Sequence, residues 1–272
     1  MRHLTIQLYA ALMICMMWAG LAYAGDWPPY MHAESLPNGV EFLPPPPDVN
    51  SEPFKTDLYY YRWGKDERNT PRGEQAKDDA NCTTTHLSEI FSVPMGITIS
   101  EEKTPNIYKL IGRGGYTAMS ATSKPKTHHA RTRPYAEFNE PSLIPNAEAK
   151  HNSHASYPSG HATISWAVAL LLVEINPNAQ DALLKRAYEF GESRVIAGYH
   201  YESDVAMGRL VASAAVARMH ADSEFLADMT AAKKEFRLIL AKKTGTRVTR
   251  THRTANPDPQ PKRRHHRKAA SE

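Results

Sequence analysis

Cysteine is scarce in this chain. Its 272 residues hold two, Cys15 and Cys82. Cys15 lies in an N-terminal apolar run that reads as an export signal, so the processed chain keeps one thiol. One thiol cannot close an intrachain disulfide, and the fold must stand on packing alone. No His or Cys in zinc-finger spacing flanks Cys82, which excludes a structural zinc site there and leaves a small, partly buried residue. Sustained period-two alternation and hairpin turn signals are also missing, which argues against sheet architecture. Past the N-terminus no apolar run reaches the roughly 20 residues of a membrane-spanning helix. No internal repeat is evident. The remaining composition is ordinary for a globular protein and excludes collagen, coiled coil and wholesale disorder.

What is present divides the chain into four parts. Arg2 and His3, an apolar run from about Leu8 to Leu21, and the A-x-A pattern Ala22-Tyr23-Ala24 describe a cleavable secretion signal over residues 1–24. A retained membrane anchor would need a longer run, and a lipid anchor at Cys15 is disfavoured by bulky Ile14 before it. Residues 25–52 are rich in proline, with Leu43-Pro44-Pro45-Pro46-Pro47 as a polyproline segment, either a linker or a strap lying across the domain. Residues 53–241 carry the helical signals. Residues 242–272 form a polar, basic tail of disordered composition, suited to anionic surfaces if it has a partner at all. Ten Lys/Arg against two acids give the tail +8, so the formal net charge of +4 conceals a mildly acidic body of −4.

The helical part reads as an all-α bundle. Residues 53–84 are helix-compatible, with Leu58, Tyr59, Tyr60, Tyr61 and Trp63 as anchors. Further helices are expected around His86–Phe91 and Thr104–Ser120. Tyr135 to Tyr157 reads as a long loop, of the kind that is functional or mobile. Pro158 and Asn176-Pro177 bound a helix that is apolar nearly all round from Ala162 to Val173, too short for a bilayer and therefore central and buried. Helices over 179–197, 202–221 and 224–241 follow. Their expected inner faces are Leu183, Leu184, Ala187, Tyr188, Gly191 and Val195, then Val205, Gly208, Val211, Ala212, Ala215 and Met219, then Phe225, Leu226, Met229, Phe236 and Leu240.

Three segments carry chemistry. The first is Lys126-Thr-His-His-Ala-Arg-Thr-Arg133-Pro134, the second Pro158-Ser159-Gly160-His161, the third Ser193-Arg194 with His200 and Asp204 downstream. A phosphoryl group in transfer spreads negative charge over its equatorial oxygens and needs fixed cations and N–H donors around them. Lys126, Arg133 and Arg194 supply the cations, and Arg can grip two oxygens at once. Ser159 and Gly160 sit at a helix start, where free N–H groups and the dipole favour an anion. His200 and Asp204 are four apart, which places them on one face if the helix has begun by then. A carboxylate on one ring nitrogen fixes the tautomer and frees the other to attack phosphorus. His161, beside the same anion, suits protonation of the leaving alcohol and then activation of water. Singly, each segment reads as a cap, an interior histidine or a solvated face; all three in order do not.

This pattern, Lys-x6-Arg-Pro, Pro-Ser-Gly-His and Ser-Arg-x5-His-x3-Asp, resembles that of the type 2 phosphatidic acid phosphatase superfamily, which includes the vanadium haloperoxidases. Within it the chain is similar to the bacterial class A non-specific acid phosphatases. Leu43-Pro-Pro-Pro-Pro47, Asp79-Ala-Asn81, Ser156-Tyr-Pro-Ser-Gly-His161, Glu174-Ile-Asn-Pro177 and Ser193-Arg-Val-Ile-Ala-Gly-Tyr-His200 carry the likeness, over about residues 40 to 238. The resemblance implies a periplasmic, helical, metal-independent acid phosphatase without cofactor, acting on many phosphomonoesters and inhibited by vanadate. It implies that His200 is phosphorylated, Asp204 orients it and His161 is the acid. It implies that Lys126, Arg133, Ser159, Gly160 and Arg194 hold the phosphate. Phosphate transfer to alcohols and association into homo-oligomers are left open. Ala197 replaces a cysteine of some members, without touching a catalytic role. His128, His129, His151 and His154 add imidazoles near the site, with solvated loop positions as the simplest reading.

Three rivals differ in class. A vanadate-dependent haloperoxidase would use the same cage on a longer chain. A membrane lipid phosphatase would need spanning helices. A non-catalytic phosphate-binding protein would not need both His161 and His200.

Overall fold

The computed structural model describes residues 27–149 and 151–243. The expected signal over 1–24 lies outside them, as does the tail from residue 244. The described residues contain helices and no strand, in agreement with the all-α expectation.

Nine helices longer than one and a half turns are described: α1 Phe54–Glu67, α2 Pro71–Asp78, α3 Thr84–Met95, α4 Pro105–Ser120, α5 Ser123–His129, α6 Gly160–Ile175, α7 Gln180–Ile196, α8 Glu202–Met219 and α9 Ser223–Lys243. Their starts follow local chemistry. Thr70 accepts from the Arg72 amide ahead of Pro71, which splits the 53–84 region into α1 and α2. Thr83 caps α3, and Ser159 caps α6 through a bond from the Ala162 amide. Helix α6 is the axis of the molecule. Ala162, Ile164, Ala167, Val168, Leu171 and Leu172 are all buried, and it packs chiefly on α7, α8 and α4. Only an element covered on several sides tolerates an apolar surface nearly all round.

Small residues set the spacing. A Cβ built on Gly208 would stand 2.6 Å from the Ser159 carbonyl oxygen, so α8 approaches the start of α6 closely only because that side chain is absent.

The inner faces agree with the sequence pattern with three corrections. On α7, Tyr188 is exposed and lies against the Arg209 guanidinium, 4.1 Å from its ring centroid. On α9, Leu226 and Leu240 point outward, while Ala232 joins Phe225, Met229 and Phe236 inside. On α1, Tyr59 is exposed, and Phe54, Asp57, Tyr61 and Gly64 form the inner face.

The proline-rich segment is a strap. Tyr30, Met31, Leu36 and Leu43 are buried in the main core. Its start is clasped by Arg113, which donates to the Pro28 carbonyl at 2.6 Å and pairs with both oxygens of Glu224 on α9. Its far end meets the active-site loop, where the Tyr157 hydroxyl donates to the Pro44 carbonyl.

Candidate active site

The three segments converge at the starts of α6 and α8 and the ends of α5 and α7. Each is delivered by a backbone device. Lys126 sits in the last turn of α5, after which Ala130 adopts a left-handed conformation and the chain turns away. At the end of α7, Gly198 has φ +77°, a region that favours glycine, and the reversal brings the Tyr199 and His200 amides back onto the Arg194 carbonyl. This return explains the spacing between Arg194 and His200. Gly160 lies beside the lysine chain: a Cβ there would make an ordinary contact, 4.0 Å from Lys126 Cε.

His200 is nearly fully buried. Arg133 Nη1 donates to its Nε2 at 3.0 Å, so Nε2 carries the lone pair and the ring proton sits on Nδ1. Nδ1 faces Asp204 Oδ2 at 3.5 Å, with Ser156 Oγ wedged beside both, 3.4 Å from Nδ1 and 2.6 Å from Oδ2. The pairing of His200 with Asp204 therefore arises differently from the expectation of a shared helix face. Helix α8 begins only at Glu202, and Asp204 reaches back to accept from the Tyr201 amide at 2.8 Å, as an acid in the first turn does.

Arg133 is the cation at Nε2, and Lys126 and Arg194 stand near enough to act on the same ring. Arg133 spends three more donors on loop carbonyls, Nε on Asn152, Nη1 also on Tyr199 and Nη2 on Ala155, which leaves one Nη2 N–H for a ligand. Lys126 Nζ donates to the same Ala155 carbonyl at 2.6 Å. Arg194 lies over the Tyr199 ring, 4.7 Å from its centroid, and its buried Nε and Nη1 have no hydrogen-bond partner. Two buried guanidinium nitrogens without acceptors are costly, and an anion would satisfy them. The amides of Gly160 and His161, in the first turn of α6, have no acceptor within their own helix and add to this anion site.

His161 Nε2 donates to the Ala80 carbonyl at 3.1 Å, and its ring stacks on Phe190. That bond reserves Nδ1 for any mobile proton. The Asp79-Ala-Asn81 turn is itself fixed, because Asp79 is buried and ion-paired to Arg186, with Ser193 Oγ donating to it at 2.7 Å. Asp78, Asp79 and His86 bring one ligand atom each within 4.8 Å of one another, the one such grouping among the described residues. Arg186 and Ser193 already engage both Asp79 oxygens, so it reads as part of that ion pair.

Electrostatics agree with the geometry. Burial first, then Arg133, Lys126 and Arg194, push His200 well below its ordinary value. Burial and Arg194 do the same to His161. Burial, reinforced by Arg133, lowers Lys126 to about 7, and burial lowers Arg194 to about 10. Like charges brought together out of water discharge one another unless an anion joins them.

All eight residues expected from the sequence, Lys126, Arg133, Ser159, Gly160, His161, Arg194, His200 and Asp204, belong to the segments that meet here. Of the extra histidines, His151 stands closest to the cage: it lies edge-on to Tyr199, and burial followed by Arg133, Arg194 and Lys126 lowers it. His128 is exposed, His129 packs on Tyr157, and His154 meets Thr132. Four participants were not expected. Ser156 is described above. Arg131 donates to Asp204 Oδ1 at 2.6 Å and to Asp57 Oδ2 at 2.7 Å, and Ser203 binds Asp57 through both its amide and its hydroxyl. Arg131, Ser156 and Ser203 lie inside recognised segments, where a signal existed. Asp57 carries none.

A helical bundle with this cage defines a class. Residues 111–226 match the PAP2 superfamily. The chain is 42% identical to a non-specific acid phosphatase of Providencia stuartii over 208 residues, which is 76% of this chain and 84% of the relative. It is 32% identical to a non-specific acid phosphatase of Salmonella typhi over 84% of this chain and 91% of that one. An acid phosphatase of Zymomonas mobilis is 30% identical over 71% and 74% of the two chains. The chain belongs to the family of bacterial non-specific acid phosphatases within the PAP2 superfamily.

Proposed function

We propose that this acid phosphatase hydrolyses phosphomonoesters through a phosphohistidine formed on His200. The observation that carries the reading is the convergence of three cations on His200, Arg133 at its lone pair with Lys126 and Arg194 nearby, and two buried Arg194 nitrogens that lack any acceptor. The ester's phosphoryl oxygens take those donors together with Lys126, Arg133 and the first-turn amides of α6. His200 Nε2 attacks phosphorus, the bond to the ester oxygen breaks, and the Nδ1 proton of His161 goes to the departing alcohol. Asp204 offsets the positive charge that grows on the His200 ring. Water then attacks the phosphohistidine and gives its proton to His161, the N–P bond breaks, and phosphate leaves. An alcohol in place of that water yields phosphate transfer.

The bound dianion is part of the acid chemistry. Burial and Arg194 keep His161 neutral in the free protein, and a phosphate between them reverses that influence, so the imidazole holds its proton when the ester is bound. The substrate field favours small, diverse esters. Export by the N-terminal signal to the periplasm belongs to the same reading. Among the described residues, no helix is long and apolar enough to cross a membrane.

The test is turnover of a chromogenic aryl phosphate with chelator present, together with ³¹P detection of an acid-labile, base-stable phosphoenzyme. His200→Ala should abolish both. Full activity in that variant, or activity only with added metal, would overturn the mechanism.

A further inference from the structure

We propose that Asp57 is a positioning residue for the nucleophile: by neutralising Arg131 it leaves Asp204 the negative charge that supports the His200 imidazole. The inference rests on His200 being the residue that attacks phosphorus.

Asp204 is the acid beside His200, yet its other oxygen is occupied by a guanidinium at 2.6 Å. Arginine keeps its proton in proteins. An Asp204–Arg131 pair alone sums to zero and gives a growing imidazolium little support. Asp57 changes that sum. It accepts from Arg131 Nη2 at 2.7 Å, and the triad Asp57–Arg131–Asp204 carries a net charge of −1. The three side chains are buried, so this charge is weakly screened. Burial opposes the Arg131 charge, but Asp204 and Asp57 outweigh it and hold the guanidinium above its ordinary value.

Position supports a functional account. Asp57 arrives from α1, and it binds Arg131 and Ser203, the residue next to Asp204. Arg131 is further held over the Tyr201 ring at 4.1 Å. Buried ionic triads are poor stabilisers compared with apolar packing of similar volume. Charge placement explains a carboxylate here better than stability does.

The charged groups facing each partner are few. His200 meets Arg133 at its Nε2 and Asp204 at its Nδ1, and it also feels Lys126, Arg194 and His161. Asp57 meets Arg131, and Glu202 at the start of α8 feels both Asp57 and Asp204. The cations depress the His200 ring; the triad is their counterweight.

Signs follow. Asp57→Asn takes the triad to zero, so His200 becomes less basic and a poorer nucleophile. Arg131→Gln takes it to −2 and acts in the opposite direction. The double variant returns to −1. The experiment measures the pH dependence of kcat/KM for an aryl phosphate with the full chain of each variant. Asp57→Asn should lower the acid limb by ~0.5–1 pH unit. It should cut kcat ~10-fold with KM changed less than ~2-fold. Arg131→Gln should raise the limb, and the double variant should bring it back. Opposite shifts cannot come from a merely structural defect. A limb that stays in place in all three, or moves the same way in both single variants, overturns the proposal. If Asp57→Asn does not fold, the upward shift in Arg131→Gln and its reversal in the double variant still decide. His200→Ala is run alongside: activity there removes the nucleophile, whereas an inactive His200→Ala with immobile limbs removes only the role of Asp57.

Discussion

Lys126 is half-buried, and burial with Arg133 beside it lowers its ammonium from 10.5 to about 7. Its folded value lies below its unfolded one, so folding expels a proton between those limits. The resulting cost is complete below pH 7 and fades as pH rises towards 10.5. Lys126→Met should therefore melt at a higher temperature than the parent at pH 6 in a buffer free of oxyanions, by a margin that shrinks at pH 10, while activity is lost. Scanning calorimetry at the two pH values measures it; an unchanged or lower melting temperature at pH 6 contradicts the lowered value. The same group sets a limb for inhibition by inorganic phosphate. Above about pH 7 a neutral Lys126 no longer attracts the anion, so the competitive inhibition constant should rise, up to ~10-fold per pH unit. At this scale the sequence was informative wherever chemistry sat in a local motif: Lys126, Arg133, Arg194, His161 and His200 are all read from short spacings. Asp57 was not legible, because its role depends on Arg131 lying 74 positions away, and no local pattern encodes such a contact.

Helix α6 joins the core to the cage. Its buried body fixes its axis, and its first turn carries Gly160 and His161. The close passage of α8 over Ser159 makes that turn sensitive to a residue far from any substrate. Gly208→Ala should push its methyl against the Ser159 carbonyl, cost ~1–3 kcal/mol of stability and lower kcat/KM. Denaturant midpoints and steady-state kinetics test this, and wild-type values in both would show that α8 can shift freely. The helix boundaries were largely readable because proline, threonine and serine caps mark them. Outward-facing Tyr188, Leu226 and Leu240 were misread as inner positions. Helical spacing groups residues on a stripe, but the width of the covered stripe is decided by neighbours. Tyr188 stays outside because Arg209 offers its ring a polar companion.

Across the whole molecule, the two ends of the described chain meet on α4. Arg113 is buried and ties the strap at Pro28 to Glu224 and Asp228 of α9, and Tyr30 adds a bond to Asp228 at 2.9 Å. Arg113→Leu should loosen both ends together and cost ~1–3 kcal/mol, since hydrogen bonds to a charged group are lost while Glu224 remains open to water. The variant should keep its kcat at 25 °C, because no cage residue touches Arg113. An early loss of strap protection in hydrogen exchange would accompany it; unchanged protection there would contradict the clasp. From sequence the strap was one of two alternatives. Proline runs specify an extended path but not what the path lies against, and Leu36 and Leu43 decide that only once the core exists.

The gathering of Lys126, Arg133 and Arg194 in one interior also governs how the protein should be handled. Mutual repulsion weakens the native state, and any small tetrahedral oxyanion that shares the interior relieves it by mass action. Sulfate from a precipitation step or phosphate from a storage buffer should therefore lengthen shelf life and, at the same time, mask catalysis. Preparations exchanged into acetate or a zwitterionic buffer should display the enzyme's full rate and its true fragility together.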